Sequence, residues 1–218
     1  MTSASVICRN REPRHVVIFA KAPRIGMVKR RLAAGIGALA AWRCYGEITR
    51  GLIDRLAREP RWTLWLAVTP DDAVGRSRHW PAMAHRRLVR PIAQGAGDLG
   101  ARMGRVLRQL PRGPAVIVGS DIPGIDASAI HGAFAALRGQ DAVFGPAIDG
   151  GYWLVGLRRR PSPRRHLPGR LFQQVRWSTE HALADTLSGL PKAARWTLLH
   201  RLEDVDDQRS WQSWRTGR

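Results

Sequence analysis

The 218-residue chain is poor in several things at once. Its two cysteines, Cys8 and Cys44, form neither a Cys-x-x-Cys pair nor a metal-ligand spacing, which argues against a disulfide scaffold or zinc module and for inert thiols in a reducing compartment. No apolar run reaches the roughly 20 residues a membrane helix needs. Met1 to His15 carries Arg9, Arg11 and Arg14 with no signal-peptide core behind them, so a cytoplasmic protein without a membrane partner is expected. Lysine is scarce, occurring only at 21, 29 and 192, and acidic residues number 17 against 36 basic ones. The resulting net charge of +19 is therefore almost entirely arginine.

Such a surplus suits nucleic acid, an anionic surface, a phosphorylated substrate, or simply a composition that favours Arg. The arginines run from Arg9 to Arg218 without an aromatic-basic repeat or RNA-recognition signature, so the compositional reading is preferred and a nucleic-acid partner is not expected. With 44% hydrophobic and 24% charged residues the chain is an ordinary globular one, long enough to bury a core without staples. One domain over residues 15–207 is expected, with a flexible segment at 1–14 and a tail at 208–218.

Short apolar, β-branched runs alternate with helical periodicity. Strands are predicted at His15 to Ala20, Thr63 to Thr69, Arg87 to Ile92, Ala115 to Gly119, Asp141 to Gly145, Tyr152 to Leu157 and Trp196 to Leu199. Helices are predicted from Val28 to Leu56, broken near Gly35 and Gly37, from Leu99 to Leu110 with Asp98 as cap, after Asp126 to Leu137, and from Ser178 or Thr179 to Leu190. Alternation of this kind predicts an α/β fold with a mainly parallel central sheet covered on both faces, in which ligands bind beyond the strands' carboxyl ends. Arg158 to Arg170, rich in Arg and Pro, reads as a solvated excursion.

The loops after the strands hold the unusual chemistry. Lys21-Ala-Pro-Arg-Ile-Gly26-Met-Val-Lys29-Arg30-Arg31 sets a glycine and several cations around a helix start, an arrangement suited to a diphosphate or triphosphate, although it lacks the final hydroxyl of a P-loop. Ser120-Asp121 puts a carboxylate where a buried strand ends, suited to Mg²⁺ or Mn²⁺, and equally suited to capping a turn before Pro123. Asp204-Val-Asp206-Asp207 is a like-charge cluster that requires a cation or arginines; if extended, Asp204 and Asp206 share one side, and a metal role requires the segment to return near Asp121. Asp149-Gly150-Gly151 reads as an acceptor loop carrying a general base, or as a plain hairpin turn. His166, His181 and His200 lack ligand spacing, and no nucleophile triad stands out.

Taken in order, Phe19-Ala-Lys-Ala-Pro-x-x-Gly-x-Val-Lys29, Gln94-Gly-x-Gly-Asp-Leu-Gly-x-Arg-Met103, Gly119-Ser-Asp-x-Pro123, Gly145-Pro-x-x-Asp-Gly-Gly-Tyr-x-Leu-x-Gly-Leu157, Trp177-Ser-Thr179 and Asp204-Val-Asp206 resemble a bacterial family of GT-A-like proteins with the nucleotide-diphospho-sugar transferase fold, DUF2064. Members are described as glycosyltransferases associated with radical-SAM proteins, some in arsenosugar biosynthesis. The resemblance implies a Rossmann-like three-layer sandwich, with Lys21, Gly26, Lys29 and Arg31 near phosphates and Gln94, Gly97 and Asp98 near the base or ribose. It further implies Asp121 and Asp206 as metal ligands, Asp121 and Asp149 as catalytic groups, and Mg²⁺ or Mn²⁺ as cofactor. The chain departs from the family where Arg30 replaces a usual Thr and where Asp207 and Ser210 interrupt a longer acidic pattern.

The function expected on this basis is transfer of a glycosyl group from a nucleotide sugar to a small-molecule acceptor. Two alternatives are kept: a nucleotidyltransferase that joins a nucleoside triphosphate to a phosphorylated acceptor with release of pyrophosphate, and a non-catalytic polyanion binder. Arg30 tilts towards the triphosphate.

Overall fold

A computed structural model describes residues 12–74, 88–159 and 170–217. Cys8, His166, Arg87, most of the 1–14 segment and the interior of the Arg158 to Arg170 stretch lie outside the described residues. Seven strands are present, β1 (His15–Lys21), β2 (Thr63–Thr69), β3 (Val89–Ala93), β4 (Ala115–Gly119), β5 (Ala142–Pro146), β6 (Tyr152–Leu157) and β7 (Trp196–Leu198), in one sheet of order β3-β2-β1-β4-β6-β5-β7. All neighbours are parallel except β6, which runs antiparallel to both β4 and β5. The carboxyl ends of six strands and the first residues of β6 therefore share one edge of the sheet.

The inner strands are apolar on both faces, as a sheet covered on two sides requires. Val16 and Ile18 of β1 pack with Leu52, Ile53 and Leu56 of α2 (Ala38–Ala57) and with Ile130 and Phe134 of α4 (Ala127–Ala136). Val17, pointing the other way, joins Ile117, Phe144 and Val155 beneath Met103, Val106 and Leu107 of α3 (Leu99–Gln109), with α5 (Ala182–Ser188) beside it through Leu183 and Leu187. This is the α/β three-layer arrangement expected, in a single domain.

Gly37, at φ 85°, divides α1 (Arg30–Ile36) from α2, and Asp98 and Asp126 cap α3 and α4 through the backbone N–H groups of Ala101 and Ala129, each at 2.7 Å. Two expectations need correction. The helix expected from Ser178 or Thr179 begins only at Ala182, with no side-chain cap, because Ser178 sits at φ 62° and Thr179 Oγ1 is spent on a turn, donating to the Arg176 carbonyl and accepting from His181 N–H. Residues 208–216, read as a tail, form α6 (Gln208–Thr216). Asp207 and Ser210 make its capping box, and Trp211 and Trp214 pack against a buried cluster of Leu32, Ala41, Cys44, Ile48 and Val205. No described helix is long and apolar enough to cross a membrane.

Candidate active site

The last part of the chain crosses the sheet's carboxyl edge. From β7 it bridges Ala147 at Leu202, whose N–H donates to the Pro146 carbonyl, and Val205 N–H then donates to the Asp121 carbonyl at 3.1 Å. Val205 is buried with α1 and α2 while Asp204 and Asp206 face the rim, the alternation an extended segment imposes. The acidic cluster thus returns to the end of β4, where Asp121 stands.

Lys29 closes the arrangement. Its Nζ donates to Asp121 Oδ2 at 2.6 Å and lies 3.4 Å from Asp206 Oδ1, with its side chain only 5% exposed. Burial by itself would lower the ammonium pKa; the charge and hydrogen bond of Asp121, then the charges of Asp206 and Asp204, outweigh it and raise the pKa. Arg31 Nη1 donates to Asp206 Oδ2 at 3.1 Å. Asp204 is pushed up to about 6, first by burial, then by the charges of Asp121, Asp149 and Asp206, against the pull of Lys29. Four carboxylates and one buried ammonium therefore share one field.

A cavity of about 310 Å³ opens on this centre and extends over the ends of β1, β2 and β3. Lys21, Lys29, Gln94, Arg102, Asp121 and Asp206 line its polar part. Gln94 is buried and fully engaged: Nε2 donates to the carbonyls of Ala20 and Ala67, and Oε1 accepts from Arg102 Nη1 at 3.1 Å. The guanidinium it holds, not the amide itself, has donors left over. Gly26, Gly97, Asp98 and Arg31 are absent from this wall; Asp98 works as the α3 cap, and Arg31 reaches the site through Asp206.

A second chamber, of about 300 Å³, shares Asp121, Leu99, Gly119, Tyr152 and Trp153 with the first and continues to Asp149, Asp204, Trp177, Ser178 and Thr179. Asp149 Oδ1 accepts from Gly151 N–H at 2.9 Å, the Asx turn of the β5 to β6 connection. The glycine next to it does not make room for a ligand: Gly150, at φ 84°, lies so close to the Glu180 backbone that a side chain would collide. Gly100 does the same for Trp177, whose Cζ2 lies 2.8 Å from the place of a Cβ. Gly150 in the β5 to β6 connection and Gly100 in the first turn of α3 thus let the Trp177 to Glu180 segment close the chamber.

Sequence reasoning passed over Tyr45, Thr49 and Arg102. Tyr45, buried in α2, accepts from Lys21 N–H and donates to the Lys21 carbonyl, both at 2.9 Å, with Ser120 Oγ at 3.2 Å, and Thr49 donates to the Ser120 carbonyl. Together they tie the ends of β1 and β4 to one helix. Helical spacing puts both residues on the buried face, but nothing local signals what they touch; Arg102 was visible only as part of the glycine-rich motif.

The donor set fits a hard divalent ion: two carboxylates converge on one positive group, and such ions complete their shell with water and phosphate oxygens. Among the described residues no group of three or more His, Cys, Asp or Glu is arranged to hold a metal by itself. Asp121 and Asp206 are the residues that would share the ion.

A candidate nucleotide-diphospho-sugar transferase from Desulfovibrio desulfuricans G20 superposes with a TM-score of 0.78 at 28% identity, over 89% of this chain and 82% of that one. Two more distant matches share the fold alone. They are 4-diphosphocytidyl-2C-methyl-D-erythritol synthase of Anaerococcus prevotii DSM 20548 (TM-score 0.62, 10% identity, 95% and 97% covered) and the manganese complex of Rv0371c from Mycobacterium tuberculosis H37Rv (0.53, 12%, 93% and 97%). No curated protein matches the chain in sequence. Residues 52–179, more than half of the chain, match the profile of the family described as uncharacterized protein conserved in bacteria, DUF2064, and the chain belongs to that family.

Proposed function

We propose that the protein is a Mg²⁺- or Mn²⁺-dependent glycosyltransferase that takes a nucleotide sugar in the first cavity and a small-molecule acceptor in the second. The observation that carries this reading is the junction of two chambers at Asp121, beside the Lys29 and Asp206 pair. Likeness to a candidate nucleotide-diphospho-sugar transferase supports the transferase class. A divalent ion shared by Asp121 and Asp206 would neutralise the departing diphosphate. Lys21 and Lys29 add charge on the same side, and Gln94 fixes Arg102 towards the nucleoside end. At the opposite side Asp149 is the base: the acceptor hydroxyl attacks the anomeric carbon, the bond to the diphosphate breaks, and the hydroxyl proton passes to the Asp149 carboxylate. Catalysis of this kind rests on positioning and charge stabilisation, which suits a site without a nucleophile.

Nucleotidyl transfer remains the second reading, because relatives in fold include a nucleotidyl-transferring synthase and Arg30 stands exposed beside the first loop. Against it, Arg31 is already bound to Asp206, leaving one cation fewer for the longer triphosphate. A thermal-shift panel of nucleotide sugars and nucleoside triphosphates, with and without Mg²⁺ or Mn²⁺, separates the two. Metal-dependent stabilisation by nucleotide sugars, about 2.7 kcal/mol for a ligand at a hundred times its Kd, is expected and is lost in Asp121→Ala. Stabilisation by triphosphates alone transfers the assignment to the second reading.

A further inference from the structure

The second chamber is acidic in a strongly basic protein. Asp121, Asp149 and Asp204 line it, and no Lys, Arg or His among the described residues does, although the chain holds 36 Lys and Arg. The first cavity, by contrast, has Lys21, Lys29 and Arg102 in its wall. Basic side chains are therefore confined to the first cavity, where Asp206 also stands, while the second presents carboxylates alone, with Asp121 on the boundary.

The remaining wall is aromatic and apolar. Trp153 is buried, with its Nε1 donating to the His200 carbonyl, so its ring is fixed in place. Trp177 stands against Tyr152 edge-on and against Phe172, over Gly100. Its Nε1 is the one buried side-chain polar atom among the described residues without a hydrogen-bond partner, and an indole N–H can only donate. Ser178 and Thr179 complete the rim.

From this division of charge we infer that the acceptor is a hydroxyl-bearing molecule without negative charge, neutral or cationic, that lays an apolar face on Trp177 and offers its hydroxyl groups to Asp149 and Asp204. The inference rests on the glycosyl-transfer reading for its assumption that this chamber receives the acceptor. A carboxylate accepts hydrogen bonds from hydroxyl and ammonium groups, and the faces of sugar-like rings suit indole walls. A phosphate or carboxylate brought against the same side chains meets like charge, which disfavours its binding. Selection against anions is thus built into the wall, and it would separate a free acceptor from its own phosphate ester.

The test uses the full chain and three matched pairs, glucose, glycerol and myo-inositol against glucose 6-phosphate, glycerol 3-phosphate and inositol 1-phosphate, with glucosamine and phenyl β-D-glucoside as further non-anionic probes. Binding is read by saturation-transfer NMR and titration, with and without Mg²⁺. At least about a tenfold preference, equivalent to 1.4 kcal/mol, is expected for the non-anionic member of each pair that binds. Ser178→Lys, which adds a cation at the rim, should narrow that preference several-fold, and Trp177→Phe, which keeps an aromatic ring but loses the indole's second ring and its N–H donor, should weaken the neutral ligands. Equal or tighter binding of the phosphate esters, or no binding by any non-anionic compound, overturns the inference. Thermal shifts with nucleotide sugars on the same preparation keep the two ideas apart. If the sugars fail to bind while the preference persists, glycosyl transfer falls and the chamber's selectivity stands; if they bind and anions are preferred, only the chamber assignment falls.

Discussion

At the residue scale the site turns on Lys29, which starts α1 in the left-handed region at φ 50° and places its ammonium between Asp121 and Asp206. Removing it leaves two partly buried carboxylates facing one another. Lys29→Met should therefore lose about 1–3 kcal/mol of stability without metal, and millimolar Mg²⁺ should raise the variant's Tm by more than it raises the wild type's. Equal metal responses would show that Lys29 and the ion do not share partners. A second residue-scale effect lies away from the site. Glu59 accepts from Arg61 Nε at 2.8 Å and Nη2 at 2.6 Å, with His131 Nε2 at 2.9 Å. The Arg61 hydrogen bonds first, and His131 after them, lower its carboxyl from the usual 4.5 to about 2 despite the opposing effect of burial. Because the folded pKa is depressed, the stabilisation is complete above the unfolded value and is lost as pH falls from about 4.5 through about 2. Thermal unfolding of Glu59→Gln should show a shallower fall over that window than wild type, and a slope identical to wild type refutes the assignment.

At the scale of elements, the glycine-rich loops are packing devices as much as ligand loops. The β5 to β6 connection presents Asp149 only because Gly150 accepts the Glu180 backbone against it at φ 84°. Gly150→Ala adds both a collision with backbone and a strained φ, so a loss of about 2 kcal/mol or more is expected, together with weakened acceptor binding while nucleotide binding is spared. Chemical denaturation and separate titrations of the two ligands check this; a variant of wild-type stability would show that the segment gives way freely. α6 is tied to the site in a similar manner. Ser210 Oγ accepts from the N–H groups of Asp206 and Asp207, both at 3.1 Å, so the capping box that starts the helix also holds the backbone of a site carboxylate. The strands and most helices were legible because apolar period and turn residues are local. Ser178 does not start the helix because Ser and Thr suit a turn as well as a cap, and here Ser178 takes φ 62° beside Trp177, which packs on Gly100.

For the whole molecule, a net charge of +19 predicts adhesion to any polyanion, distinct from use of the site. Retention on heparin should fall by about a hundredfold or more between low and moderate salt, while metal-dependent nucleotide-sugar binding in the partly enclosed cavity changes only a few-fold. Parallel loss of both would favour the polyanion binder over the enzyme. What the sequence determined by itself was the α/β alternation, the caps at Asp98 and Asp126, the placing of unusual residues after strands, and the family. Those follow from periodicity and from hydrogen bonds between near neighbours. Only the tertiary structure decided that Lys29 meets a carboxylate 92 positions away and another 177 away, that Tyr45 fastens β1 to β4, and that the acidic chamber excludes basic side chains among the described residues. Contacts of that kind depend on strand order and on the path of the chain across the sheet edge, which the parallel crossovers fix and no local pattern encodes.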